Sequence, residues 1–170
     1  MIATSHRRKE NNRPPMSARE NDSLSVLTCG NAESLQYIAR IETASDSIRL
    51  RGFSAHEFEN IVDAVEYIDT KFRNQTSIEE QILFPLLEHS VPEQLGKLRE
   101  EHKQLWTTFK KLQRSVRDIQ EGHVYGTSIV ELTTIARIMA KLLYTHINDE
   151  ENLLLPLVKR LLSLPMNMRE

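Results

Sequence analysis

The chain has 170 residues, enough for one well-buried core but short of two ordinary domains. Its 22 Lys and Arg against 24 Asp and Glu leave a formal charge of -2, which excludes the electrostatic footprint of a nucleic-acid or anionic-membrane binder. The single cysteine, Cys29, cannot form an internal disulfide, and no apolar run reaches the ~18 residues of a membrane span, so a reducing cytoplasm is the expected location.

Residues 1–23 are polar, mixed in charge and interrupted by Pro14-Pro15. They lack the apolar core of a secretory signal and cannot bury enough surface to offset the entropy of ordering, so they read as a flexible tail. Residues 24–165 read as the folded bundle and 166–170 as a C-terminal tail.

A first helix is expected over about 31–49, with Leu35, Ile38, Ile41 and Ile48 as its buried stripe, ending near Gly52. A second begins at Ser54, a good N-cap residue with Glu57 three positions on, and follows Ile61, Val65, Ile68 and Phe72 in steps of four and three. The same steps then reach Gln75, Glu79, Ile82 and Leu86, so the inner seam turns polar before it turns apolar again. Pro85 should bend this helix near its end. A third helix starts after Ser90-Val91-Pro92 and reads Leu95, Leu98, His102, Leu105, Phe109, Leu112, Val116, Ile119. After a break at 122–126, a fourth reads Ile135, Met139, Leu142, His146, Glu150, Leu153, Leu157. The pattern is that of an all-α, up-and-down four-helix bundle in which three helices place an acid or a histidine where a core residue belongs.

Short connections make neighbouring helices antiparallel, so residues equally distant from a turn stand at one height. His102 lies 22 positions before the turn at about residue 124, and His146 lies 22 after it. Gln75 and Glu79 lie 16 and 12 positions before the turn at about residue 91, and His102 lies 11 after it. Glu79, His102, His146 and Glu150 therefore converge within about one helical turn, ~5 Å. The i, i+4 spacing of Gln75/Glu79 and of His146/Glu150 puts each pair on one helix face. Buried carboxylates without a partner would cost several kcal/mol and repel one another, and a divalent cation resolves both difficulties. Imidazole with carboxylate suits iron, manganese or zinc, whereas calcium and magnesium prefer oxygen alone. His102 by itself could be a hydrogen-bonded core histidine; its level placement with His146 and two acids favours a ligand. His56, His6, His89 and His123 fall too far along the helix, in the tail or at turns, and Trp106 reads as packing.

The segment QTSIEEQILFPL at 75–86 aligns without gaps on HINDEENLLLPL at 146–157. Here the sequence resembles the hemerythrin-like, HHE cation-binding family, whose second and fourth helices carry a pattern close to His-x-x-x-Glu-Glu-x-x-Leu-Phe-Pro-x-Leu. His146, Glu150, Glu151 and Pro156 match it, and Glu101-His102-x-x-Leu105 matches the third helix; the resemblance covers about 30–162. It implies non-haem iron, in that family a pair of ions bridged by carboxylates and capped by histidines. Carried over by residue, Glu79 and Glu150 become bridges and His102 and His146 terminal ligands. Gln75 stands where histidine is expected and the first helix has no histidine, leaving Glu33 as the best chemical replacement among Cys29, Asn31, Glu33 and Ser34. Glu151 would become the bridge after a slight rotation; otherwise Glu80 and Glu151 face solvent. One or two iron ions per chain are thus expected, held by Glu79, His102, His146 and Glu150, with Gln75, Glu33 and Glu151 as further candidates.

What this implies for function is a protein that binds or senses oxygen, nitric oxide or peroxide, or handles iron, with a protein partner needed to carry a signal. An enzyme of oxidative or peroxide chemistry at the same site is a second reading. A metal-free bundle acting as an adaptor, with Gln75 a mark of decay, is a third.

Overall fold

The computed structural model describes the backbone of residues 18–163. Four long helices account for nearly all of it: α1 (Ala18–Arg51), α2 (55–87), α3 (Pro92–Gln120) and α4 (126–163). α2 and α4 are continuous but locally widened. α2 runs as α-helix to Tyr67, passes through a π turn at Ile68–Phe72, resumes at Arg73–Ile78 and widens again at Glu79–Leu83. α4 is regular to Asp149 and widens at Glu150–Leu154. α1 packs on α2 and α4, and α3 on α4 and α2, which closes an up-and-down four-helix bundle. Among the described residues no helix is long and apolar enough to cross a membrane.

The turns follow from local chemistry. Gly52 (φ +94°) and Gly122 (φ +92°) take the left-handed conformation that closes a helix, returning their N–H groups to Ile48 and Ile119 carbonyls. Pro92 opens α3, where a missing N–H costs nothing. Ser54 precedes α2 with extended backbone, but its side chain makes no capping bond; only its carbonyl is used, by the Phe58 N–H.

The apolar interior is in two parts. A larger cluster includes Ile38, Ile41, Ile48, Ile61, Ile68, Phe72, Leu105, Phe109, Leu112, Met139 and Ile147, and a smaller one is built from Leu83, Phe84, Leu87, Leu95, Leu98, Leu154, Leu155 and Val158. Each fully buried large side chain contributes roughly 1.5–3 kcal/mol. Between the two clusters along α2, α3 and α4 stand Gln75, Glu79, His102, His146 and Glu150, all buried. The apolar layers above and below exclude water from this polar layer.

Several expectations are corrected. α1 is already helical at Ala18, within the stretch read as tail; residues 1–17 and 164–170, including the expected C-terminal tail, lie outside the described residues. Leu35 is exposed, and the inward face of α1 is Asn31, Ser34, Ile38, Ile41, Ala44 and Ile48. In α3 every seam residue read from the sequence is buried. In α4 the inward positions ahead of the site are Leu132, Ala136, Met139 and Leu143, with Ile135 and Leu142 only half-buried at the side.

Candidate metal centre

Four ligand-capable side chains from three helices meet in the polar layer. Glu79 of α2, His102 of α3 and His146 and Glu150 of α4 each offer one donor atom, and these atoms lie within 4.8 Å of one another. His102 Nε2 stands 3.2 Å from Glu79 Oε2 and 3.1 Å from His146 Nε2. His146 Nε2 stands 2.7 Å from Glu150 Oε1 and 3.7 Å from Glu79 Oε2. The four residues are buried to 1% exposure or less.

The helices are locally built for this. Pro85 and Pro156 each come six residues after the site glutamate and have no N–H for the carbonyls of Gln81 and Asn152. The backbone answers by widening: the Phe84 N–H returns to the Glu79 carbonyl and the Leu155 N–H to the Glu150 carbonyl, five residues back in each case. Such a π turn inserts one residue into the helical register. Past the glutamates the inward positions therefore become Leu83 and Leu87 in α2 and Leu154 and Val158 in α4. The expected Ile82, Leu86, Leu153 and Leu157 are displaced from the seam, Leu86 to 37% exposure.

Both histidines are held from behind. His102 Nδ1 meets Glu80 Oε1 at 2.6 Å, and His146 Nδ1 meets Glu101 Oε2 at 3.0 Å. A carboxylate accepts, so each Nδ1 carries a proton, and the neutral form of each ring presents its Nε2 lone pair inward. This carboxylate-histidine pairing is what orients imidazole toward a metal. Lys97 in turn bridges Glu101 and Asp149 at the surface. Phe84 stacks on the His102 ring and Phe72 meets the His146 ring in a T-shaped contact, which fixes both ring planes.

Two Nε2 lone pairs and two carboxylates thus converge with no donor among them. Glu79 Oε1, Glu79 Oε2 and Glu150 Oε1 are buried without a hydrogen-bond donor. A positive charge has to enter. In the protein alone it is a proton: burial works against it, but Glu150, Glu101 and Glu79 raise His146 well above the ordinary imidazole value. Burial, and then the charge of Glu79, pushes Glu150 up to about 8. Burial also opposes ionisation of Glu79, yet His102 and His146 hold it at about 2 once the shared proton sits on the imidazoles and gives them an N–H to donate. A divalent cation satisfies all four groups at once, and the two-nitrogen, two-carboxylate set fits a first-row transition metal.

The structure separates the remaining candidates. Gln75 is buried beside the cluster, its Nε2 donating to Asn31 Oδ1 at 2.6 Å and to Glu150 Oε2 at 3.3 Å. Glu33 is exposed, because the inward residues of α1 at this height are Asn31 and Ser34, and position 33 lies on the far side of the helix. Glu151 is exposed as well; Glu150 is the inward member of its pair. His56, His89 and His123 are exposed and remote from the cluster. Trp106 packs on Phe72 and Phe109 under the Arg73 guanidinium, as a packing residue.

The model of the hemerythrin HHE cation binding domain matches residues 32–158, most of the chain and all four site residues. The protein belongs to this family. Neither the comparison with curated proteins nor that with solved structures gives a match. Within the hemerythrin HHE frame, sequence reasoning gave no role to Glu101, read Glu80 as facing solvent, and passed over Asn31 in favour of Glu33. The first two had a signal: each is the chain neighbour of a site residue, and a ligating histidine needs an acceptor for its second nitrogen.

Proposed function

We propose that this hemerythrin-family domain holds iron on His102 Nε2, His146 Nε2, Glu79 and Glu150, and that it binds or reacts with a small ligand such as oxygen, nitric oxide or peroxide. One observation carries the reading: both histidines have Nδ1 committed to a carboxylate, so four buried electron-pair donors converge on one point. Iron held by two imidazoles and carboxylates keeps positions open to an exogenous ligand and supplies redox chemistry there. The chain's own part is to orient both rings, through Glu80 and Glu101, and to keep water out, through the apolar layers on either side. Zinc and manganese accept the same donors, so the metal is decided by elemental analysis of protein purified without a histidine tag and without added metal. Iron in the purified protein, with an absorption change on adding nitric oxide to its ferrous form, is the expected result. Protein that takes up no metal on reconstitution, and is as stable without metal as with it, would move the function to a metal-free adaptor bundle.

A further inference from the structure

The two oxygens of Glu150 face different surroundings. Oε1 lies 2.7 Å from His146 Nε2, on the histidine side of the layer. Oε2 faces α1 and α2, where it accepts an N–H from Gln75 at 3.3 Å. An N–H aimed at Oε2 takes up one of its lone pairs and sets an amide NH2, a donor that repels a cation, on the side where a second ion bridged by Glu150 would sit.

The Gln75 amide is fixed in that orientation. Its other N–H donates to Asn31 Oδ1 at 2.6 Å, so both amide hydrogens have acceptors and a flip would lose both bonds. Its oxygen is turned toward Gly30, where a Cβ would come within 2.2 Å of Gln75 Oε1; only glycine leaves room for it. Gly30 and Ser34 are themselves tied to α2, the Gly30 carbonyl accepting from the Tyr67 hydroxyl at 3.2 Å and Ser34 Oγ pairing with it at 2.8 Å. Among the described residues, the His, Cys, Asp and Glu side chains grouped closely enough to hold an ion at this level are the four already named.

We infer that the Gln75–Asn31 amide pair closes the α1–α2 side of the layer to metal, so that this chain builds a one-metal centre in which Gln75 anchors Glu150 through its second oxygen. The inference rests on the iron reading above and adds nuclearity to it.

The test is iron stoichiometry together with electron paramagnetic resonance of the ferric protein, after anaerobic loading of metal-free protein with excess iron(II), removal of unbound metal and oxidation. About one iron per chain, with a high-spin ferric signal that accounts for all the iron, is expected. About two irons per chain forming a spin-coupled, resonance-silent pair would overturn the one-metal centre while leaving the iron reading intact; no bound iron would overturn both. The double variant Asn31→His, Gln75→His should rise to about two irons per chain. If it folds, by circular dichroism, and still holds one, the amide pair is not what closes that side. If it fails to fold, wild-type stoichiometry and the spin count still decide.

Discussion

His102 and His146 point their Nε2 atoms at each other across 3.1 Å, each ring pushed forward by a carboxylate on its far nitrogen. Two neutral imidazoles would not choose this arrangement, because lone pair would face lone pair. It is stable only around a shared positive charge, and that links burial, protonation and metal affinity in one cluster.

If the shared charge is a metal, removing either ring removes most of the binding. His102→Ala and His146→Ala should each weaken iron binding by more than ~100-fold, beyond what loss of a supporting residue produces. His56→Ala, at an exposed position far from the cluster, should leave it unchanged. Metal content by mass spectrometry after dialysis reads this directly; full retention by both cluster variants would sink the assignment.

The carboxylates behind the rings should matter without touching metal. Glu101→Gln and Glu80→Gln keep size but weaken the acceptor at Nδ1, and iron affinity should fall by ~10–100-fold in each. The effect at Glu101 should be the larger, because its side chain is 15% exposed against 48% for Glu80. Competition titration with a chelator gives the two affinities. Equal, near-zero effects would mean that the Phe84 and Phe72 contacts alone hold the rings.

Stability and metal binding should move in opposite directions with pH. Glu150 keeps its proton to about 8 in the folded metal-free protein but releases it near 4.5 when unfolded, and His146 is raised above its unfolded value in the same sense. The folded state therefore binds more protons between those limits, and metal-free stability falls as pH rises from 5 to 8, by up to ~1.4 kcal/mol per pH unit per group. Glu79 acts oppositely: its support is present above 4.5 and is lost as pH falls toward 2. Because metal displaces the protons on Glu150 and His146, iron affinity should rise over pH 5–8. Urea unfolding of metal-free protein and chelator titration at both ends of that range test the pair of trends; affinity independent of pH would contradict the protonated site.

How much of this was legible depended on whether the helix stayed regular. α3 has no proline beyond its first turn and no π turn, and its seam from Leu95 to Ile119 read correctly along its whole length. The heights of His102, His146 and Glu150 followed from counting to the turn at 121–125 for the same reason, because α3 and α4 are regular between that turn and those residues. The count for Glu79 crosses the π turn at Glu79–Leu83 and survives because one inserted residue shifts height by only about 1.5 Å. Past Glu79 and Glu150 the count slipped by one, since periodicity assumes 3.6 residues per turn and a π turn breaks it. On α1 the inward face carries Asn31, Ser34 and Ser45, so a stripe drawn from apolar residues alone placed Ile38, Ile41 and Ile48 correctly but admitted Leu35 where Ser34 faces inward, and a choice made on ligand chemistry put Glu33 forward in place of Asn31.

The repeated π turn yields the last prediction. A proline inside a regular helix costs about 3 kcal/mol relative to alanine. If the widening at Glu150–Leu154 only relieved Pro156, then Pro156→Ala would let α4 close to a regular helix and recover that energy. Closing it would turn Leu154 and Val158, both buried, away from Leu95 and Leu98, and bring forward Leu153 and Leu157, which are now at the side. The lost burial of two such side chains, roughly 1.5–3 kcal/mol each, offsets the helical gain. It would also shift the Glu150 carbonyl that the Leu155 N–H now holds. Pro156→Ala is therefore expected to bring no gain in unfolding free energy, because about 3–6 kcal/mol of lost burial matches or exceeds the gain of about 3 kcal/mol, and to weaken iron binding several-fold. A gain near 3 kcal/mol with unchanged affinity would show that packing does not set the register and that the π turn serves the proline alone.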